Sequence, residues 1–251
     1  MQWRDMMRQR WEKVKAFWDM FRSMPEVEIH LMKEKTEGTD PFFAHITDKF
    51  YRRARQRHKR FPIFRQMMVG VALSDLSNGF EGYLKQIESS ARRNYKKAKR
   101  NGFTFRQIDF NQHLDDIWAI RGSAQVRQGK MPEDFVRNKP KPISDPQAET
   151  NIHGYTYFGV LDAEGVLVAY AGCLQAGEAL MIEHIYGHAD YQSFGVVPML
   201  FISLAEHAIE HYPYVKYMGY GTYFGASETM RRFKKKFSFL PHRVKWILSG
   251  G

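Results

Sequence analysis

The sequence predicts an α/β protein: one mixed sheet with helices on both faces, preceded by an N-terminal helical extension. Three observations carry this. After residue 150, strand-like runs alternate with helical patterns. Two of those runs, "YTYFGVLD" and "GVLVAYAGCLQ", are joined through Asp-Ala-Glu-Gly, a hairpin-like connection. And 251 residues, of which 43% are hydrophobic and 15% aromatic, suffice to bury a full core.

Taken in order, Trp3, Met7, Val14, Trp18 and Phe21 recur near helical spacing between Arg8, Lys13, Lys15 and Arg22, so residues 2–23 form an amphipathic helix stopped by Pro25. "EVEIHLMKE" alternates as a strand does, and residues 43–60 form a helix that becomes strongly basic toward its end, where the dipole favours cations. "MMVGVAL" at 67–73 is a buried strand. A single helix follows from about Phe80 to Arg100, with Leu84, Ile87, Ala91, Tyr95 and Ala98 on its apolar stripe and cations on its flanks, and Asn101-Gly102 stops it. "FTFRQID" is a strand, residues 111–129 a helix, and 137–149 a loop with three prolines between Pro140 and Pro146. Beyond the two hairpin strands come a third strand, "EALMIEHIYG", a long apolar helix at 196–212, the strand "VKYMGYG", a short basic helix at 227–237 and the strand "PHRVKWIL". The resulting division is an extension at 1–66, a first part of the fold at 67–139, the proline-rich loop at 140–150 and a core at 151–251.

The balance of 38 Lys+Arg against 27 Asp+Glu, a net charge of +11, favours polyanionic partners. Nucleic acid, anionic lipid and phosphate-bearing acyl carriers all fit it. The exposed cations of the 80–100 helix, Arg92, Arg93, Lys96, Lys97 and Arg100, are the candidate polyanion surface, with limited aromatic interleaving. The single cysteine, Cys173, rules out an internal disulfide and lies in an apolar run, as a buried inert thiol does. With no long apolar run and charges throughout the N-terminus, we expect no transmembrane segment and a cytoplasmic location. The first helix packs internally or contacts a membrane surface peripherally.

Three stretches carry a resemblance: the basic helix and strand "SSARRNYKKAKRNGFTF", the paired strands "YFGVLDAEGVLVAYAGCL", and "GYGTYFGASETMRRFKKKFSFLP" with its Gly-rich turn, basic helix and closing strand. Together they resemble the GNAT superfamily of acyltransferases, most closely its Fem-type (FemAB/FemX-like) aminoacyl and acyl transferase branch, over roughly residues 67–248. The resemblance implies a GNAT-like fold and attack by an amine acceptor on the ester or thioester carbonyl of an acyl donor. That donor is a co-substrate, acetyl-CoA or another acyl-CoA, or an aminoacyl-tRNA; no tightly bound cofactor is expected. In the Fem-type branch the setting is bacterial cell-envelope or polysaccharide biosynthesis.

In GNAT enzymes backbone N–H groups of a Q/R-x-x-G-x-G/A loop grip the coenzyme A pyrophosphate. The matching place runs from Gln192 to Pro198; Gln192 and Gly195 fit the pattern, whereas Val196 and Val197 add bulk, which favours a donor with another anionic handle. By the same likeness Glu183 is the general base, with His184 expected on the opposite strand face because strand side chains alternate. Gly221 and Gly225 supply backbone flexibility, Tyr223 a hydroxyl as a catalytic candidate and Ser227 a hydroxyl at a helix start as a donor-binding candidate, and by the likeness Lys234 or Lys235 contacts the donor phosphate or the carbonyl oxygen. Glu183, His184, His188 and Asp190 straddle a strand end and a turn, so no metal site is expected. An acetyl-CoA-dependent N-acetyltransferase is the alternative enzyme, and a nucleic-acid-binding or nucleic-acid-modifying protein the alternative from another class.

Overall fold

The computed structural model describes residues 2–36, 41–58, 64–124, 133–144, 150–224 and 226–249. Its centre is a mixed sheet of β1 (Glu26–His30), β2 (Val69–Asp75), β3 (Thr104–Ile108), β4 (His153–Leu161), β5 (Leu167–Ala176), β6 (Ala179–Gly187), β7 (Tyr217–Thr222) and β8 (Leu240–Ile247). Among the described residues the strands lie in the order β1-β8-β2-β7-β6-β5-β4-β3. The β1/β8 and β6/β7 pairs are parallel and all others antiparallel.

Helices cover both faces. Against one face lie α3 (Gly79–Gln86), α4 (Ser89–Arg100), α7 (Val196–His211) and α8 (Glu228–Lys236), where Tyr83, Ala91, Tyr95, Leu200, Phe201 and Phe237 pack on Phe158, Val160, Ala171, Ile182 and Met218. On the other face, Phe50 and Ala54 of α2 (Pro41–Ala54) meet Val71, Leu73, Met181 and Trp246. There too, Ile117 and Ile120 of α5 (Leu114–Gly122) meet Ile108, Leu161, Leu167 and Tyr170. The alternation of side chains across a strand makes this possible: Met181 and Ile182 are successive residues serving opposite cores.

The N-terminal segment does not stand outside the sheet. Val27 and Ile29 of β1 sit opposite Val244 and Trp246 of β8, and Leu31 N donates to Ile247 O at 2.8 Å. A division at residue 66 therefore cuts hydrogen-bonded strands. Such a pairing, more than two hundred residues apart in the chain, leaves no mark on local sequence. Ahead of β1, α1 (Gln2–Ser23) packs through its last turn, where the Phe21 ring lies 6.0 Å from Phe64.

The single helix expected from Phe80 to Arg100 is two. Ile87 and Glu88 are extended (ψ 154° and 145°). Arg92 Nη1 closes the first helix by donating to Leu84 O at 2.6 Å and Ile87 O at 2.7 Å, and Glu88 N donates to Lys236 O at 3.0 Å. The apolar stripe survives the break: Ile87, Ala91, Tyr95 and Ala98 are all buried. The helix expected at 111–129 starts with a 3-10 turn and continues as α5, while residues 125–129 lie outside the described segments. A short α6 (Glu133–Arg137) follows, and the proline-rich loop is described only in part.

Candidate active site

The parallel β6/β7 pair is short. Ala179 faces Tyr217, Leu180 faces Met218 and Met181 faces Gly219, and there the pairing stops. From that point β6 runs on against β5 as far as Gly187, while β7 runs on against β2 as far as Thr222. The sheet therefore opens into a wedge, with residues 182–187 on one wall and 220–222 on the other.

The β6 wall contains a bulge. Cys173 faces Ile182, but its neighbour Gly172 faces His184, which leaves Glu183 as an extra residue. The insertion resets the alternation. A Cβ on Gly172 would stand 2.9 Å from Tyr157 Cε1 and 3.3 Å from His184 Cδ2, so His184 lies on the face of Tyr157, toward α2 and α5. Glu183 points to the same face, because its carboxylate accepts from Arg53 of α2 and from the Tyr155 hydroxyl at 3.1 Å. The expectation that His184 lies opposite Glu183 is thus corrected. Simple alternation fails where one strand carries an additional residue.

Electrostatics around this pair are uneven. Burial, then the Glu183 charge, pushes the Tyr155 hydroxyl well above the usual phenol range, and burial also raises Tyr157. His184 is solvent-exposed. Burial lowers its imidazole pKa below the ordinary 6.5; Glu183 opposes this, while Arg121 and Arg53 reinforce it. The neighbouring Cys173 is fully buried, and desolvation raises its thiol far above the ordinary range, leaving an inert thiol.

On the β7 wall the dominant group is Lys234 of α8. It is 5% exposed, and Nζ donates to Tyr220 O at 2.6 Å and Thr222 O at 2.7 Å, both beyond the last β7 residue paired with β6. Its third N–H has no partner among the described residues. Desolvation pulls its pKa down from 10.5 to about 8. Lys235, one residue on, is turned to solvent, so the two lysines are not equivalent. Ser227 accepts from Met230 N at 3.2 Å as the N-cap of α8. Tyr223 N donates to Gly70 O, and its ring is half-buried against the core. Gly225 lies outside the described residues.

The loop before α7 is a 3-10 turn, Ala189–Phe194. Gln192 is exposed, and its carbonyl accepts from Gly195 N. Gly195 has φ +86°, and a Cβ there would stand 2.5 Å from Asn94 O, so glycine lets the loop lie directly on α4. Lys97 Nζ adds a bond to Ser193 O at 2.8 Å. The two valines do not project outward: Val196 is fully buried, and a Cβ on Gly187 would stand 2.5 Å from Val197 Cγ2 and 3.6 Å from Val196 Cγ2. Val196 thus belongs to the core under the loop, and the half-buried Val197 packs against that core.

Of the candidate polyanion residues, Arg93, Lys96, Lys97 and Arg100 are exposed along α4. Arg92 leaves the set, because its guanidinium is engaged by the carbonyls that end α3. Among the described residues no three His, Cys, Asp or Glu side chains converge as a metal site. Glu183 and His184 thus stand on the β6 wall, on the α2 and α5 side of the sheet, and Lys234 of α8 reaches the β7 wall from the other side, while Gln192, Gly195 and the α4 cations border the start of α7. Sequence reasoning missed Arg53, Tyr155, Tyr157 and Arg121. The period-two tyrosines of "YTYFG" were the available signal; nothing local marks the two arginines.

No family model matches the sequence, and neither does any curated protein. Among solved structures the chain is similar to FemX (TM-score 0.54, 9% identity, covering 72% of this chain and 60% of that one). Weaker likenesses include L-PGS from Bacillus licheniformis (TM-score 0.47, 15% identity, 69% and 58%) and a tandem GNAT protein from the clavulanic acid biosynthesis pathway (TM-score 0.44, 10% identity, 69% and 50%). The chain spans about three fifths of the length of FemX. The splayed parallel pair, the hairpin beside it and the helices on both faces belong to the mixed α/β fold that this chain shares with FemX.

Proposed function

We propose that this chain is an acyltransferase that moves an acyl or aminoacyl group onto an amine in the wedge between β6 and β7. The observation that carries the proposal is the open β6/β7 wedge, with a buried ammonium bonded to the carbonyls of one wall and a carboxylate next to an imidazole on the other. The amine nitrogen attacks the donor carbonyl, the C–N bond forms, and the carbonyl oxygen gains negative charge, which the third N–H of Lys234 is suited to meet. The amine nitrogen gives up a proton, the C–S or C–O bond to the donor breaks as the carbonyl re-forms, and the departing thiol or ribose oxygen takes up a proton. Glu183 already accepts from Arg53 and Tyr155, so His184, neutral at pH 7 and open to solvent, is the group with room to take the amine proton. Glu183 then offsets the charge of the imidazolium. Glu183 is thereby moved from base to positioning residue in this reading.

For the donor, the start of α7 and the bordering cations of α4 form an anion-favouring edge suited to the pyrophosphate of an acyl-CoA or to the acceptor end of an aminoacyl-tRNA. Gln192, Gly195, Ser227 and Lys235 border the donor path in this reading, and Tyr223 sits at its floor. A cytoplasmic location, where both donor types are made, accords with it, as does an acceptor from envelope or polysaccharide biosynthesis. Met7, Trp11 and Trp18 of α1 are exposed beside Arg8, Lys15 and Arg22, an arrangement that supports peripheral contact with an anionic membrane.

The test is thermal stability of the full chain with acetyl-CoA, coenzyme A, and charged or uncharged tRNA at two salt concentrations, followed by product analysis with an amine panel. Stabilisation by one donor class and an acylated amine as product are expected. tRNA binding that ignores charging, with no acyl transfer from any donor, would replace the proposal with the nucleic-acid-binding alternative.

A further inference from the structure

On β6, Tyr186 stands two residues beyond His184 and on the same face. It sits opposite Tyr170 of β5, with ring centroids 5.6 Å apart, and the Phe135 ring of α6 lies 5.6 Å away. Into this nest the last turn of α5 delivers Arg121. Its guanidinium carbon is 3.8 Å from the centre of the Phe135 ring, and Nε donates to the hydroxyl of Tyr170, itself 1% exposed, at 2.9 Å. A stacked plate and a buried hydroxyl fix the plane and rotation of the group, yet both Nη nitrogens are left without a partner among the described residues.

The carboxylates carried by α5 and β6 are committed elsewhere. Asp115 pairs with Lys139 at 2.6 Å, Asp116 with His113 at 3.0 Å, and Glu183 with Arg53. Among the described residues Arg121 is consequently a pre-oriented, half-buried cation whose two Nη nitrogens and charge have no partner. Holding a guanidinium this way costs side-chain entropy and solvation, and the arrangement matches what bidentate recognition of a planar or tetrahedral oxyanion requires. Its charge reaches the reacting pair: after burial and the opposing Glu183, it is the next influence on the His184 imidazole.

We infer that Arg121 binds an anionic substituent, a carboxylate or phosphate, on the amine acceptor, and that the nest of Phe135, Tyr170 and Tyr186 forms this subsite. The word acceptor rests on the acyltransferase reading; the anion subsite does not. Two residues along a strand are about 7 Å, which sets the separation between the reacting nitrogen beside His184 and the anionic group.

The experiment measures binding rather than turnover. The full chain is titrated, by thermal shift and calorimetry, with ω-amino acids from β-alanine to 6-aminohexanoate, their methyl esters, the matching alkylamines, and 2-aminoethyl phosphate. The anionic amines bind, the esters and alkylamines do not, and affinity peaks at the chain lengths that span the stated distance; comparison of the amino acids with the phosphate distinguishes the two anion types. Arg121→Gln weakens binding roughly ten- to hundredfold, in line with the loss of charge-assisted hydrogen bonds. Arg121→Lys recovers only part, because a point charge lacks the fork, and Phe135→Ala provides a second variant that leaves the arginine in place. Equal shifts with amino acids and alkylamines, or unchanged anion affinity in Arg121→Lys and Phe135→Ala, overturn the inference. Acyl transfer found without this discrimination would sink the subsite alone; discrimination without acyl transfer from any donor would keep the subsite and remove the proposed reaction.

Discussion

Replacing Lys234 by methionine keeps the length and shape of the side chain and removes the charge and the donors. Two effects oppose each other. The carbonyls of Tyr220 and Thr222 lose their partner, at roughly 1–3 kcal/mol each for a buried unsatisfied acceptor. Against this, an ammonium whose pKa has fallen from 10.5 to about 8 carries a burial cost of about 3 kcal/mol at neutral pH, which the variant regains. The net change at pH 7 is therefore small, on the order of 1 kcal/mol of destabilisation. At higher pH the two proteins diverge. The folded-state pKa lies below the unfolded one, so between about 8 and 10.5 the unfolded wild type holds more protons and its stability rises with pH. The gain is up to about 3 kcal/mol and is lost again as pH falls back through 8. Lys234→Met lacks this contribution, and all other titrations cancel in the difference between the two proteins. Urea unfolding of both proteins from pH 7 to 10.5 reads it directly. Stability curves that stay parallel would refute the buried-ammonium reasoning. If Lys234 also meets the developing oxyanion, the same variant loses about a hundredfold or more in kcat, far beyond what its stability at pH 7 explains.

Three further outcomes are expected. Gly195→Ala, forced into a left-handed φ with its Cβ against Asn94 O, lowers stability by about 1–2 kcal/mol or more and loosens the loop from α4; an unchanged unfolding midpoint in denaturant would remove that account of the glycine. Arg92→Ala lowers the melting temperature without changing the salt dependence of tRNA or heparin binding, whereas Arg93→Ala with Lys96→Ala flattens that dependence and spares the fold, since only the latter pair is free to release counterions. His207, held at about 4 by burial and the neighbouring His211, destabilises the fold as pH drops from 6.5 toward 4, by up to about 3 kcal/mol; in His207→Gln that part of the acid loss disappears from equilibrium unfolding curves.

The order of elements was legible in the chain because each is a local pattern. Continuous apolar runs and alternation mark β4 to β6, a helical period marks α7, and Asp-Ala-Glu-Gly marks the hairpin. The burial of Phe233 and Phe237 beside Phe201 follows from their four-residue spacing. Glu183, His184 and Lys234 could be singled out from sequence as chemically interesting side chains, with roles supplied by resemblance. What escaped was decided by groups distant in the chain. The break at Ile87 depends on Arg92 and on Lys236 of another helix. Lys234 turns inward, and Lys235 outward, because the carbonyls of β7 lie on one side of α8. Arg53 meets Glu183 across 130 residues, and Arg121 meets Tyr170 across 49. Above all, the single extra residue in β6 moves His184 to the face of Glu183. A bulge is defined by two strands together, so one strand's sequence does not contain it. Sequence by itself determined which segments would be strands and helices and where the cations lay, because period and composition act over a few residues. Tertiary structure decided which side chains share a site, because register, splay and burial exist only once distant strands have paired.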